Sequence, residues 1–269
     1  MESFGSAPRS TGARRRFPAL RSIGALVLRE MSTTYGRSPG GYLWAILEPV
    51  AAIALLSIVF SYAFRTPPMG TSFVLFYATG YTMLTAFTGL NQRLGTAILF
   101  SRQLLAYPNV TFMDAVLARM ILSFLTQTLV FIIVMTGIVV LLDLKVLLDM
   151  STIFMALAML FALSFGVGCL NCFLMSMFPV WQQVWSILTR PLFIISGIFF
   201  LMDALPEQYR DILLWNPLAH VIMEMRAGFY GAYDANLVSE AYVFGVSLLS
   251  AVLAILLLRR YHRVIIDRR

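Results

Sequence analysis

The chain has 269 residues, 59% of them hydrophobic and 12% charged, with a mean hydropathy of +0.82 and a formal net charge of +7. A soluble domain carries roughly 25% charged residues, whereas the apolar residues here gather in blocks of about 20, long enough to cross ~30 Å of hydrocarbon as helices. This excludes an ordinary soluble enzyme and, without ~10-residue alternating segments, a transmembrane barrel; the positive charge fits positive-inside bias and anionic headgroups, not a nucleic-acid surface.

Residues 1–16 combine Ser, Gly, Ala and Arg with almost nothing to bury, and read as a disordered basic tail. Arg21 and Arg29 interrupt the apolar core that a signal peptide would need. Residues 17–269 form one all-helical polytopic membrane domain. In 18–34, Leu20, Ile23, Val27 and Met31 recur at helical spacing opposite Arg21, Ser22, Arg29 and Glu30, the pattern of an amphipathic interface helix. Six transmembrane helices are expected next, at about 43–64, 73–90, 112–142, 153–177, 183–201 and 241–258. Thr111 with Asp114 resembles a capping box at the start of the third.

A segment at 92–111 separates the second and third spans. Its centre, "LFSRQLLAYPN", is helix-prone and stopped by Pro108, and it is too apolar at Leu99, Phe100, Leu104, Leu105 and Tyr107 for a solvated loop. Such a piece wants a partner groove. Between the fifth and sixth spans, 203–234 holds a short amphipathic helix, "LPEQYRDILLW", and then "NPLAHVIMEMRAGFYG". In the second piece Asn216 is placed as N-cap, Pro217 at the first helical position, and Gly228 and Gly231 near the stop. Leu218, Val221, Ile222 and Met225 give it an apolar face. Both helices are too short to cross, so they are expected to dip into the outer leaflet as re-entrant pieces.

Basic residues near span ends fix an orientation. Arg14, Arg15, Arg16, Arg21, Arg29, Arg37, Arg93, Arg102, Arg119, Arg259, Arg260, Arg263, Arg268 and Arg269 collect on one side. The other side has Arg65, Lys145, Arg210 and Arg226. The crowded side is cytoplasmic, and both termini lie there.

No GxxxxGK[ST] loop, Ser/His/Asp arrangement or paired carboxylates at one depth are present, and His220 and His262 fall on opposite sides. Cys169 and Cys172 lack further Cys or His for zinc and read as small fillers at a helix contact. Charge within apolar segments is the stronger signal: Glu48 sits early in the first span and Arg190 in the fifth, where an unpaired charge costs about 2.5–3.5 kcal/mol. Glu48 either pairs with an arginine such as Arg93, holding two helices in register, or faces a polar pathway. Tyr42 and Trp44 at the start of span one, and Trp181 and Trp185 at the start of span five, are either an interfacial belt or flat faces suited to sugar rings.

The stretches "LREMSTTYGRSPGGYLWAILEP", "RPLFIISGIFF" and "LPEQYRDILLWNPLAHVIMEMRAGFYG" resemble the membrane subunits of ABC-2 type polysaccharide exporters, most closely the capsular polysaccharide export permeases of Gram-negative bacteria. The resemblance runs in order through nearly the whole chain after about residue 18. It implies a homodimer in the bacterial inner membrane, bound to a separate ABC ATPase that carries the ATP and Mg, so that this chain itself holds no cofactor and no catalytic site. It also implies a periplasmic adaptor, an outer-membrane channel and a lipid-linked, acidic polysaccharide as cargo. Arg37, Tyr42, Trp44, Glu48, Trp181, Trp185 and Arg190 would then border the substrate pathway. Phe100, Arg102, Leu104, Leu105, Tyr107 and Pro108 would seat in the ATPase. Tyr209, Trp215, His220, Glu224 and Arg226 would belong to a periplasmic gate.

Within the family, O-antigen or teichoic acid is the alternative cargo. A stand-alone secondary carrier would show two related halves with broken helices at matching positions, which are absent. A membrane glycosyltransferase would need an acidic metal-binding cluster at an interface.

Overall fold

The computed structural model describes Gly24, residues 41–101 and residues 112–267. The tail at 1–16, the expected interface helix at 18–34, Arg37, and Arg102, Leu104, Leu105, Tyr107 and Pro108 lie outside the described residues.

All regular structure among the described residues is helical. In chain order it comprises α1 (Gly41–Ala63), α2 (Phe73–Gly95), α3 (Ala97–Ser101), α4 (Phe112–Leu141), α5 (Met150–Met177), α6 (Trp181–Ile195), a 3-10 turn (Met202–Ala204), α7 (Glu207–Leu213), α8 (Pro217–Phe229) and α9 (Glu240–Asp267). Five of these, α1, α2, α4, α5 and α9, are long and apolar enough to cross a membrane. The end of the bundle that carries α7 and α8 is called the outer end below.

Helix α2 runs through Gly95, past the expected end near residue 90, because Thr96 still donates backbone and hydroxyl hydrogen bonds to Gln92. Helix α6 differs the other way. It stops at Ile195, and residues 196–201 continue without helix, turning at Gly197 with φ +77. Fifteen helical residues reach only about 22 Å, short of the ~30 Å hydrocarbon layer.

The core is built on α2 and α5. In the most apolar stretch of each helix, 67% of α2 and 56% of α5 is buried within the chain, against 17% of α1. Because lipid tails are as apolar as Leu, helices associate here by close packing and interhelical hydrogen bonds. Glycines provide the approach. A Cβ on Gly166 of α5 would lie 2.3 Å from the Ser247 carbonyl oxygen of α9, and one on Gly168 would lie 2.8 Å from the Leu94 side chain of α2. Polar links add to this. The Trp181 indole donates to Asn171 at 3.0 Å, and Asn171 donates to Asn91 at 3.4 Å, joining α6, α5 and α2. Threonines 79, 82, 85 and 88 make α2 polar for a span, yet each hydroxyl donates to a carbonyl three or four residues back, so none is left unsatisfied in hydrocarbon.

The outer end is closed by α7 and α8. Asn216 caps α8, accepting from Leu218 N–H at 3.1 Å and donating to Ser196 Oγ at 2.9 Å. Leu218, Val221, Ile222 and Met225 are each at most 1% exposed, so α8 packs inward against α5 and α2. On the same helix Arg226 is 1% exposed. Its guanidinium donates to the Ile198 carbonyl at 3.0 Å and the Phe200 carbonyl at 3.1 Å, and lies 4.0 Å over the Phe76 ring. Burial lowers its pKa to about 10, which leaves it charged near neutrality.

Two outcomes follow from this packing. Gly166→Ala is expected to destabilise the protein by about 1–3 kcal/mol through overpacking against the α9 backbone, whereas Gly137→Ala, with nothing within 4 Å of its Cβ, is neutral or stabilising. Thermal unfolding in detergent distinguishes them. Arg226→Ala strips the Ile198 and Phe200 carbonyls of their donor, at about 1–3 kcal/mol each. Hydrogen exchange should accelerate across 196–229 while the amides of α5 stay protected.

Candidate functional site

Glu48 follows directly from the local chemistry of α1. Pro49 inside that helix has no N–H, so the Ala45 carbonyl loses its helical donor one turn earlier, at the level where the carboxylate leaves the helix. Pro49 is buried and Glu48 is exposed. Together they border a cavity of about 240 Å³ between α1, α2 and α4, large enough for several waters. Arg93, Gln127 and the hydroxyl face of Thr82, Thr85 and Thr88 complete its polar lining.

Gln127 sits over Gly89, where an added Cβ would be 2.9 Å from its amide nitrogen. The cavity thus gathers one carboxylate, one guanidinium, an amide and three hydroxyls between membrane-length helices. Glu48 and Arg93 share it, so the charged partner considered from the sequence is indeed in the same space. The threonine and glutamine contributions were missed. Their signal was the spacing of Thr82, Thr85 and Thr88 along one helical face, with Gln127 midway along a membrane-length helix.

The remaining inner-end residues are dispersed. Tyr42 belongs to the first turn of α1, and Trp44 is 67% exposed. Trp181 is tethered to Asn171, and Trp185 packs partly into the core. Arg190 is exposed near the end of α6, beside Pro191, and α6 has no buried residue along its length. Arg190 therefore does not reach the Glu48 cavity within one chain. Helices α1 and α6 both lean on α2, and at the outer end α1 meets the non-helical segment that follows α6, where Phe60 stacks on Phe199 with centroids 5.3 Å apart.

Phe100 lies in the short α3 with its ring 4.3 Å beneath the Arg119 guanidinium. Arg119 also donates to the Arg93 carbonyl at 3.0 Å and to Thr96 Oγ1 at 2.9 Å. The end of α2, α3 and the start of α4 are thereby stapled, with Leu99 and Phe100 facing out.

At the outer end, Tyr209 and Trp215 are exposed, whereas His220, Glu224 and Arg226 are buried. His220 Nδ1 accepts from Ser239 N–H at 3.2 Å, which leaves Nε2 to donate to the Leu214 carbonyl at 2.9 Å. Burial lowers the His220 pKa, so this ring is neutral at physiological pH. Burial raises the Glu224 pKa, and the nearby Glu240 and Asp149 carboxylates add to the effect. These buried side chains frame the outer end, and the exposed ones are what a ligand or partner would meet. Among the described residues no three His, Cys, Asp or Glu side chains converge as a metal site requires.

Comparison with known proteins places this architecture. The family model described as ABC-2 type transporter matches residues 21–230. The chain is 32% identical over 238 residues to the polysialic acid transport protein KpsM of Escherichia coli, covering 88% of this chain and 92% of KpsM. It is 29% identical over 212 residues to the capsule polysaccharide export inner-membrane protein CtrC of Neisseria meningitidis serogroup B, covering 79% and 80%. For BexB of Haemophilus influenzae, also a capsule polysaccharide export inner-membrane protein, the identity is 28% over 211 residues, covering 78% and 80%. The match runs from before α1 to the end of α8, across every element that builds the polar cavity and across both short outer helices, and the chain belongs to the ABC-2 type transporter family.

Proposed function

We propose that this chain is the transmembrane subunit of an ATP-driven exporter that moves a lipid-linked, acidic capsular polysaccharide from the cytoplasm to the periplasm. The observation that carries the reading is the likeness, over 78–88% of this chain, to three proteins named for polysialic acid transport or capsule polysaccharide export, two of them inner-membrane proteins by name. ATP hydrolysis belongs to a separate subunit. The orientation is that of the basic residues, with both termini cytoplasmic and α7 and α8 periplasmic. A periplasmic adaptor and an outer-membrane channel receive the polymer.

In this reading α6 and residues 196–201 together form a sixth, broken crossing. Non-helical backbone is tolerated at membrane depth where protein buries it. Ser196 and Ile198 are at most 1% exposed, and Arg226 binds the Ile198 and Phe200 carbonyls. The pathway forms between two copies. Helices α1 and α6 are left open by the other described residues, and pairing them across a twofold axis brings Trp44, Glu48, Trp185 and Arg190 of both copies toward one conduit. Arg190 attracts the acidic polymer, its planar guanidinium suiting carboxylate or phosphate. The aromatic faces slide along sugar rings, and the Glu48 cavity keeps the inner end hydrated. Leu99 and Phe100 begin the segment that docks on the ATPase. The staple through Arg119 makes α2, α3 and α4 one lever for its movement.

Export is measured as surface polysaccharide in cells whose only copy of the permease is the variant. Arg190→Ala is expected to reduce it at least tenfold while co-purification with the ATPase is unchanged; Arg190→Lys should retain part of the activity. Unaltered export in Arg190→Ala would make the residue structural. Glu48→Gln keeps the shape of the cavity and removes its charge, and is expected to slow export severalfold without lowering the amount of protein in the membrane. Stimulation of ATP hydrolysis by the lipid-linked precursor in the purified complex tests the cargo directly.

A further inference from the structure

The outer halves of α4 and α5 are separated by an apolar groove of about 330 Å³. Met135 and Val139 line it from α4, Phe154 and Leu157 from α5, and Phe229 from the end of α8. Along α4 the lining runs from Thr128 to Val139, a rise of about 16 Å, or roughly half of a ~30 Å hydrocarbon layer. The groove is therefore one leaflet deep. Ile132 and Phe154 on its rim are 52% and 68% exposed, so it opens sideways, where the membrane lies.

Against its outer mouth lies a second, larger hollow of about 630 Å³, with Phe229 in the wall of both. Its lining is mixed, with Ser72, Tyr230 and Tyr233 among the polar side chains, and among the described residues Lys145 is the only charged one in it. Backbone contacts define the shape of both hollows. Asp149 N–H donates to the Gly228 carbonyl at 2.9 Å, and a Cβ on Gly228 would lie 3.1 Å from the Ile153 nitrogen. Gly70, at φ +69, lets the Tyr230 ring seat where a Cβ would come within 2.5 Å of it.

We propose that the two hollows together bind one anionic phospholipid of the leaflet at the outer end, with an acyl chain in the groove and the phosphate beside Lys145. The occupant follows from size and charge. A protein helix about 10 Å across and of the same length needs on the order of 1,000 Å³, several times what the groove offers, whereas a single tail is thin enough. The lone lysine at the headgroup level supplies the complement to a phosphate. Assignment of this leaflet as periplasmic rests on the orientation proposed above; the site itself does not depend on the cargo.

The test uses the full chain, expressed in cells that make no capsular polymer, placed in nanodiscs of phosphatidylcholine and phosphatidylglycerol and released into the gas phase for native mass spectrometry. The wild-type chain should retain one lipid, with phosphatidylglycerol preferred. Lys145→Ala should lower that preference about fivefold, the factor that one lysine near an anionic surface contributes. Val139→Trp, which fills the groove, should abolish retention of both lipids. Leu129→Trp, on an exposed position outside the groove lining, should not, and thermal unfolding confirms that each variant is folded. Equal retention across all variants would overturn the proposal. So would retention only of polymer-linked lipid supplied from capsulated cells, or cross-linking from position 139 to a second copy. None of these readouts involves export, so failure here is separable from failure of the proposed function.

Discussion

One side chain makes the outer half of this bundle possible. Backbone carbonyls in or near hydrocarbon must find donors, and the chain leaves helical geometry after Ile195, among buried residues. The Arg226 guanidinium donates to two of the freed carbonyls, at Ile198 and Phe200, and rests on the Phe76 ring. A buried charge usually demands a carboxylate. Here two oriented carbonyls and a ring face serve instead, with the Tyr77, Tyr230 and Tyr233 side chains close by. The short α6, the inward turn at Gly197 and the docking of α8 against α5 and α2 all pass through this contact.

The rest of the bundle is held by the same logic on a smaller scale. Association in a membrane lacks the hydrophobic drive that assembles soluble helices. Glycines at 166 and 168 bring α5 against α9 and α2, and the Asn91–Asn171–Trp181 chain fixes where α6 starts. Polar side chains in the spans are thus of two kinds. Some satisfy themselves or a neighbouring helix and contribute rigidity. Those around Glu48 also line open space, even where, as at Thr82, Thr85 and Thr88, the hydroxyl already donates within its own helix.

That division bears on transport. A conduit for a hydrated, acidic chain needs surfaces that are neither packed shut nor greasy, and α1 and α6 are the least enclosed of the longer helices. Their openness is a consequence of packing: α2 and α5 use the available neighbours on each other, on α8 and on α9. The outer closure, by contrast, is tied by hydrogen bonds from Asn216, His220 and Tyr242. Movement during a transport cycle is therefore more readily accommodated at α1 and α6 than within that closure.

Five of the six expected crossings and the two short outer helices were legible in the amino-acid sequence because each signal is local: apolar runs set by bilayer thickness, the Asn216-Pro217 start of α8, the turn residues between α1 and α2; the early stop of α6 was not. Glu48 and Arg190 were equally visible as charges in apolar surroundings. Tertiary structure alone decided their settings. Glu48 borders a cavity whose threonines and glutamine come from two other helices, and Arg190 is left exposed because none of the described elements packs over it. It also decided that Arg226, expected from the sequence as an outer-side basic residue of a gate helix, is the buried donor for a break in a neighbouring segment 26 to 28 residues away. Local pattern reports what a residue prefers; which carbonyl it meets depends on how helices distant in sequence come together, and no periodicity encodes that.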